Sequence, residues 1–275
     1  MAETTIRSKM RTHIHRIVVG FALMLACSFS LPSTPQNDSQ PDSKKPKEEI
    51  IFSYGGEINK PFIRYVAELT NRLKPKICFI PTASLDNPNV IIHWYQLCHD
   101  LSIEPYTLFS SPSSYYSPES YDDILTKMDA VIVGGGNTLN MMAIWKAQGI
   151  DSALFKCLKK GIVLAGGSAG SICWFENGIS DSRPKHLSLV DGLSFLKFST
   201  CPHYNNEKGR KELYDEIILN KKIHPGFACD KDSGVLFING KFIKSVSLNS
   251  DSNSYYISVA NGKILEQKLL SEIVK

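Results

Sequence analysis

The chain has 275 residues, 43% of them hydrophobic and 21% charged, which is the ordinary composition of a globular protein. Its formal net charge is +4, and it carries no basic stripe interleaved with aromatic residues, so a nucleic-acid partner is not expected. Seven cysteines are scattered without C-x-x-C spacing, which excludes the common zinc and redox motifs. Isolated cysteines in apolar runs indicate a reducing compartment and favour the cytoplasm.

Residues 1–48 form a segment that differs from the rest of the chain. A basic stretch at 7–16 precedes a mostly apolar run at 17–31, and a polar stretch rich in Ser, Pro, Asn, Asp and Lys follows. This order is typical of a secretory signal followed by a flexible tether, and Leu25-Ala26-Cys27 is similar to a lipoprotein cleavage site. Two alternatives stay open. The protein is exported or lipid-anchored and meets a membrane through this segment, or the start codon is assigned too far upstream.

From residue 49 to residue 275 we expect one domain, in which strand-like and helix-like patterns alternate. Short apolar runs predict strands at 50–54, 77–81, 104–108, 130–133 and 162–165. Amphipathic patterns predict helices at 61–73, 90–101, 121–128, 139–148 and 152–159. This order indicates a three-layer α/β fold, with a mostly parallel sheet covered by helices on both faces.

The pattern changes in the C-terminal part, where four short strand-like runs follow one another. They lie at 235–238, 242–246, 255–259 and 263–267. Asn239-Gly240 and Asn261-Gly262 separate them as hairpin turns. We therefore expect an antiparallel C-terminal edge on the same sheet and no second domain.

The predicted strand at 162–165 runs directly into Gly166-Gly167-Ser168-Ala169-Gly170 and then into an apolar helical stretch at 171–175. A G-x-S-x-G sequence between a strand and a helix is typical of a nucleophile elbow, so Ser168 is the candidate nucleophile. The amide of Ala169, at the helix N-terminus, is positioned to donate to an oxyanion. The alternative is a glycine-rich turn that only connects a strand to a helix.

A second glycine loop, Gly134-Gly135-Gly136-Asn137-Thr138, ends the preceding strand. The carboxyl ends of neighbouring parallel strands share one crevice, so this loop is expected to offer the second oxyanion donor, the amide of Gly135. Neither G-K-[ST] nor G-x-G-x-x-G is completed here, which argues against a nucleotide. We predict no cofactor and no metal.

The nucleophile needs a base, and His203 is the candidate because it follows a strand-like run at 193–198 beyond the elbow. A structural histidine is the alternative. The chain order Ser, Asp/Glu, His restricts the orienting carboxylate to residues between the two. Asp181 is the predicted third member of the triad, and Glu176 stays open as its alternative.

Three motifs in this order make the chain resemble peptidase family S51, the family of dipeptidase E or aspartyl dipeptidase. The resemblance covers about 50–244 and rests on residues 133–138, 167–170 and 202–204. It implies a class I glutamine amidotransferase-like fold in which serine replaces the usual cysteine. It also implies that Ser168 is the nucleophile, His203 the base, and the amides of Gly135 and Ala169 the oxyanion hole.

The resemblance further implies a serine-type exopeptidase or dipeptidase that hydrolyses short peptides. In this family an arginine downstream of the histidine holds an N-terminal aspartate, which makes Arg210 the candidate, with Asn137 as a second substrate-binding residue. The segment around Arg210 is shorter than in the family, so an acidic first residue is an open point. A cyanophycinase-like hydrolase and a noncatalytic ligand-binding member are the alternatives. The expected partner is a small peptide, and a homodimer is one open alternative for the assembly.

Overall fold

The apolar runs of the first half form the centre of one sheet. The computed structural model describes residues 47–110 and 118–275. Neighbouring parallel pairings join five strands, which are β1 (Ile50–Tyr54), β2 (Lys76–Ile80), β3 (Glu104–Thr107), β4 (Ala130–Val133) and β5 (Val163–Gly167). Every residue of β4 and β5 is buried, which explains why these strands are continuous apolar or glycine runs without alternation.

Helices cover both faces of this sheet. The described helices are α1 (Lys60–Leu69), α2 (Pro88–Cys98), α3 (Tyr121–Leu125), α4 (Thr138–Gln148), α5 (Ile150–Lys159), α6 (Ala169–Ile172) and α7 (Arg210–Leu219). Successive residues of β4 alternate between two hydrophobic clusters, because side chains of a strand point to opposite faces. One cluster takes residues from α1 and α2, and the other takes them from α3, α4 and α5. The predicted three-layer α/β architecture is confirmed.

Within the described residues, the first sheet has eight strands in the order β14-β11-β10-β1-β5-β4-β2-β3. Two C-terminal strands, β10 (Ser233–Ile238) and β11 (Lys241–Ser247), extend it with antiparallel pairings beside β1. The short β14 (Ser271–Ile273) pairs in parallel with β11. The predicted antiparallel edge is therefore present, and β1 and β4 flank β5 on its two sides.

A second sheet of six strands, in the order β13-β12-β9-β8-β6-β7, was not predicted. Its strands are β6 (Phe175–Ser180), β7 (Ser188–Asp191), β8 (Leu196–Pro202), β9 (Gly226–Cys229), β12 (Ser254–Ala260) and β13 (Lys263–Lys268). The expectation that all four C-terminal runs extend one sheet is wrong for β12 and β13. A hairpin turn fixes which two strands pair with each other, but not which sheet the hairpin joins.

A short segment between β5 and β6 also differs from the prediction. The helical stretch expected at 171–175 ends early, because α6 stops at Ile172 and Phe175 already begins β6. The α7 helix packs on the second sheet through a small cluster that includes Tyr204, Tyr214 and Ile257. The strands β9 and β12 belong to the second sheet, whereas β10 and β11, which lie between them in the chain, belong to the first. The chain therefore passes from the second sheet to the first and back.

Several sequence expectations concern compartment and membrane contact. Among the described residues six cysteines are free, and all six are buried. Within the same part of the chain, no helix has the length and apolarity that a bilayer crossing requires. The signal-like run at 17–31 and the tether after it lie outside the described residues, apart from the last few positions.

A buried hydroxyl pair joins β1 to the helix that follows the elbow. The Oγ atoms of Ser53 and Ser171 lie 2.6 Å apart, and neither residue is exposed by more than 1%. Removal of one partner leaves the other hydroxyl buried without a hydrogen bond, whereas removal of both leaves an apolar contact.

We expect Ser53→Ala and Ser171→Ala each to lower the free energy of unfolding by about 1–3 kcal/mol. The double variant should lose no more than either single variant, because no unpaired hydroxyl remains. Urea unfolding of the four proteins measures this. A double variant whose loss equals the sum of the two single losses would contradict the coupling.

Candidate active site

Ser168 occupies the tight turn between β5 and α6. Its backbone has φ 54° and ψ −116°, a conformation that side-chain-bearing residues rarely adopt. The turn closes only because its neighbours are glycines. A Cβ on Gly166 would lie 2.3 Å from the carbonyl oxygen of Gly170, and a Cβ on Gly170 would lie 2.2 Å from that of Val133. The predicted strand–turn–helix context of Ser168 is present.

His203 approaches Ser168 from the second sheet. It follows β8 directly, and its backbone is left-handed, with φ 55°. Its Nε2 lies 3.0 Å from Ser168 Oγ, within hydrogen-bond distance, although the residues are 35 positions apart in the chain. The structure therefore brings together the predicted nucleophile and the predicted base, at the place where the carboxyl ends of β5 and β8 face each other.

The carboxylate beside the second imidazole nitrogen is Glu207. Its Oε1 lies 3.5 Å from His203 Nδ1, and its amide donates a 3.1 Å hydrogen bond to the His203 carbonyl, which closes one turn. The predicted third member, Asp181, has a side chain that is 68% exposed and forms its ion pair with Arg210. The alternative, Glu176, accepts a hydrogen bond from His224 Nδ1 at 2.5 Å.

The position of Asp181 is therefore a correction to the sequence prediction. The assumed chain order limited the search to residues before the histidine, while Glu207 lies four residues after it. A carboxylate at this separation reaches the imidazole because the chain turns back on itself between the two residues. The spacing His-x-x-x-Glu is the signal that could have identified it.

Arg210 lies behind the histidine turn and is only 2% exposed. Two of its guanidinium nitrogens form hydrogen bonds, Nε to Glu207 and Nη1 to the Ile179 carbonyl at 2.8 Å, and Nη2 lies 3.7 Å from Asp181 in an ion pair. A guanidinium engaged in this way offers little to a substrate carboxylate. Its contacts indicate instead that Arg210 holds Glu207 in place, which differs from the substrate-binding role expected from the sequence.

The turn that carries His203 is fixed to a neighbouring loop. Asp230, which is buried, accepts hydrogen bonds from the backbone and side-chain amides of Asn205 at 3.2 and 3.0 Å. The amide of Lys231 donates to the Asn206 side chain at 2.6 Å. These contacts stabilise the left-handed conformation of His203, which would otherwise be unfavourable for a residue with a side chain.

The two predicted oxyanion donors follow neighbouring strands of the first sheet. Gly135 follows β4, the strand next to β5, and Ala169 is the first residue of α6. Within residues 47–110 and 118–275, no acceptor is hydrogen-bonded to either amide. Both amides therefore remain free to donate to a ligand.

Asn137, predicted to bind substrate, has its polar groups engaged within the protein. Its Oδ1 accepts from the amide of Asn140 at 2.9 Å and so caps α4. Its Nδ2 donates to the Ser182 carbonyl at 3.0 Å, which ties the glycine loop to the segment after β6. This geometry favours a role in holding the loop that contains Gly135.

Sequence reasoning also missed Glu57, which follows the Gly55-Gly56 turn after β1. A Cβ on Gly135 would meet the two carboxyl oxygens of Glu57 at 2.6 and 2.8 Å, so this carboxyl lies directly over the glycine loop. The strand order explains the position of Glu57. The strand β1 is the other neighbour of β5, and the carboxyl end of β1 opens on the same crevice.

The surroundings shift the pKa of two groups in the crevice. Burial lowers the pKa of His203 below its ordinary value; the charges of Glu207 and Asp181 oppose this shift, and that of Arg210 adds to it. Partial desolvation beside the glycine loop raises the pKa of Glu57, although its side chain still reaches solvent, and the negative charges of Glu207 and Asp181 raise it further. His203 is therefore held mainly as the neutral base at neutral pH.

These groups are suited to acyl-transfer chemistry. A hydroxyl in contact with a neutral imidazole can attack a carbonyl carbon, and the two amides can stabilise the oxyanion that results. Among the described residues no group of three or more His, Cys, Asp or Glu side chains could hold a metal ion.

Comparisons with known proteins indicate a peptidase. The peptidase YgaJ of Bacillus subtilis is 40% identical over 226 residues, which cover 80% of this chain and 96% of YgaJ. A peptidase from an acI-B1 actinobacterium has the same fold, with a TM-score of 0.64 at 17% identity over 82% of this chain and 96% of its own. A peptidase E protein from Listeria monocytogenes gives a TM-score of 0.56 at 22% identity over 74% and 100%. The model of peptidase family S51 matches residues 50–245, and the chain belongs to that family.

Proposed function

We propose that this peptidase is a serine-type exopeptidase that hydrolyses short peptides, with Ser168 as nucleophile and His203 as general base. The observation that carries the proposal is the 3.0 Å contact between Ser168 Oγ and His203 Nε2 at a strained elbow. The names of the relatives support a peptidase, and the resemblance to dipeptidase E supports short substrates.

In the proposed reaction, His203 accepts the proton of Ser168 as the hydroxyl oxygen attacks the scissile carbonyl carbon. The carbonyl oxygen becomes an oxyanion and accepts hydrogen bonds from the amides of Gly135 and Ala169. The peptide C–N bond then breaks, and His203 gives its proton to the leaving amine. A water molecule hydrolyses the acyl-serine by the same steps, with His203 again as the base.

Glu207 completes the proposed triad in place of Asp181. Its carboxylate faces His203 Nδ1, so it favours the tautomer in which Nε2 is free to accept the proton of Ser168. Arg210 acts through Glu207, since it is buried and fixes the other carboxylate oxygen. With Arg210 engaged in this way, the proposal includes no preference for an acidic first residue.

The proposed compartment is the cytoplasm. Its support is the set of free, buried thiols among the described residues, which are typical of proteins that fold in a reducing environment.

Ser168→Ala should abolish hydrolysis with little effect on the fold, because alanine removes only the hydroxyl. We expect kcat to fall by a factor on the order of 10⁶ and covalent labelling by a fluorophosphonate to disappear. Activity on a dipeptide panel and mass spectrometry of the labelled protein measure the two effects. Ser250→Ala, at an exposed serine, is the control and should behave as wild type. Labelling that persists in Ser168→Ala would assign the nucleophile elsewhere.

Glu207→Gln should lower kcat about 100-fold or more, because the imidazole loses the charge that orients it and stabilises its protonated form. Asp181→Asn is the matched control and should change kcat only a few-fold, since Asp181 is exposed and touches Arg210. Steady-state kinetics on one dipeptide compares the two variants. The reverse order of effects would restore Asp181 as the orienting carboxylate.

The pH dependence of fluorophosphonate labelling should report the ionisation of His203 in the free enzyme. Because burial lowers the pKa of His203, the imidazole stays neutral at lower pH than an ordinary histidine does. The labelling rate should therefore be half-maximal below pH ~6.5. In Glu207→Gln the midpoint should move to still lower pH, because the charge that raises this pKa is gone. A wild-type midpoint above the ordinary imidazole range would refute the assignment.

A further inference from the structure

The turn after β1 lies against the elbow, and the carboxylate that follows this turn lies over the glycine loop that contains Gly135. A Cβ on Gly167 would lie 2.1 Å from the carbonyl oxygen of Gly56, so this turn touches the residue immediately before Ser168. On its other side, the Glu57 carboxyl covers the α-carbon of Gly135, whose amide is a proposed oxyanion donor. Glu57 therefore borders the space in which a scissile carbonyl would sit.

No donor or cation among the described residues pairs with the side chain of Glu57. The charges that act on it are those of Glu207 and Asp181, both negative. The cation next to those carboxylates, Arg210, is buried and already paired with them. Glu57 is nevertheless exposed, so a ligand can reach it from solvent.

A negative charge in this place opposes the proposed reaction unless something neutralises it. The oxyanion develops next to the Gly135 amide, and an unpaired carboxylate over the same glycine repels it. A cationic group on the substrate would remove this repulsion. In a peptide, the cation nearest to the first carbonyl is the α-ammonium, which is bonded to the adjacent carbon.

We propose that Glu57 binds the α-ammonium group of the peptide's first residue and thereby restricts hydrolysis to the first peptide bond. The inference rests on the proposed function and adds a specificity-determining residue to it. The ammonium neutralises Glu57 at the same time as it positions the carbonyl, so binding of a free N-terminus and stabilisation of the oxyanion are coupled. Blocked peptides and internal peptide bonds carry no ammonium at this position.

The test compares alanyl-alanine with N-acetyl-alanyl-alanine in wild type, Glu57→Gln and Glu68→Gln. Glu68 is an exposed glutamate on α1 and serves as the control. Wild type should strongly prefer the free dipeptide. In Glu57→Gln, kcat/KM for the free dipeptide should fall roughly ten- to a hundredfold, the size expected for loss of a charge-assisted contact. The acetylated peptide should be hydrolysed at the wild-type rate or faster. An equal loss on both peptides, or an unchanged preference, would overturn the inference.

A binding measurement separates this inference from the proposed function. Ser168→Ala and the double variant Ser168→Ala/Glu57→Gln are titrated with alanyl-alanine by calorimetry, where no hydrolysis can interfere. Weaker binding by the double variant, by a similar factor, supports the role of Glu57 even if wild type hydrolyses neither peptide and the proposed function fails. Equal affinity of the two proteins overturns it, whatever the hydrolytic activity.

Discussion

The contact between Ser168 and His203 joins two sheets that have separate backbone ladders in the described part of the chain. Ser168 belongs to the parallel sheet and His203 to the second sheet, so the 3.0 Å distance depends on how the two sheets pack. Both residues have positive φ values, a backbone conformation that costs energy, so the contact is sensitive to changes in the packing around it. Neighbouring residues offset this cost. Close glycine packing holds the elbow, and hydrogen bonds to Asp230 hold the histidine turn.

Charge in the crevice is arranged in two layers. The inner layer is a buried guanidinium, Arg210, that binds a backbone carbonyl and two carboxylates. Because a buried charge is costly without partners, this network is expected to be rigid. The outer layer is negative and faces solvent through Glu57 and Asp181. A crevice of this kind favours cationic over anionic groups on a ligand, which is the reverse of what a solvent-facing arginine would do.

Local patterns predicted the part of the site that is local in the chain. The strand, the glycine turn and the start of a helix around Ser168 all lie within ten residues, so sequence periodicity and the G-x-S-x-G spacing were sufficient. The position of β4 next to β5 also followed, since consecutive parallel strands tend to be neighbours. Glu207 was missed because the chain order Ser, Asp/Glu, His was assumed for the triad. The distance from a carboxylate to the imidazole in the folded chain decides which carboxylate can orient it. Arg210 was assigned to the substrate from the family resemblance, and its burial could not be read from the polar segment around it. The second sheet was missed because hairpin patterns do not specify the sheet that a hairpin joins.

The path of the chain between the two sheets has a consequence for how the protein can be made. The chain completes β9, crosses to the first sheet for β10 and β11, and only then returns with β12 to cover β9. A nascent chain that has left the ribosome only up to β9 therefore lacks strands of both sheets. Ser168 and His203 will have emerged long before they can be held together. Strand pairings that are distant in sequence must therefore form before the packing around the two residues is complete, which makes the site a late feature of folding.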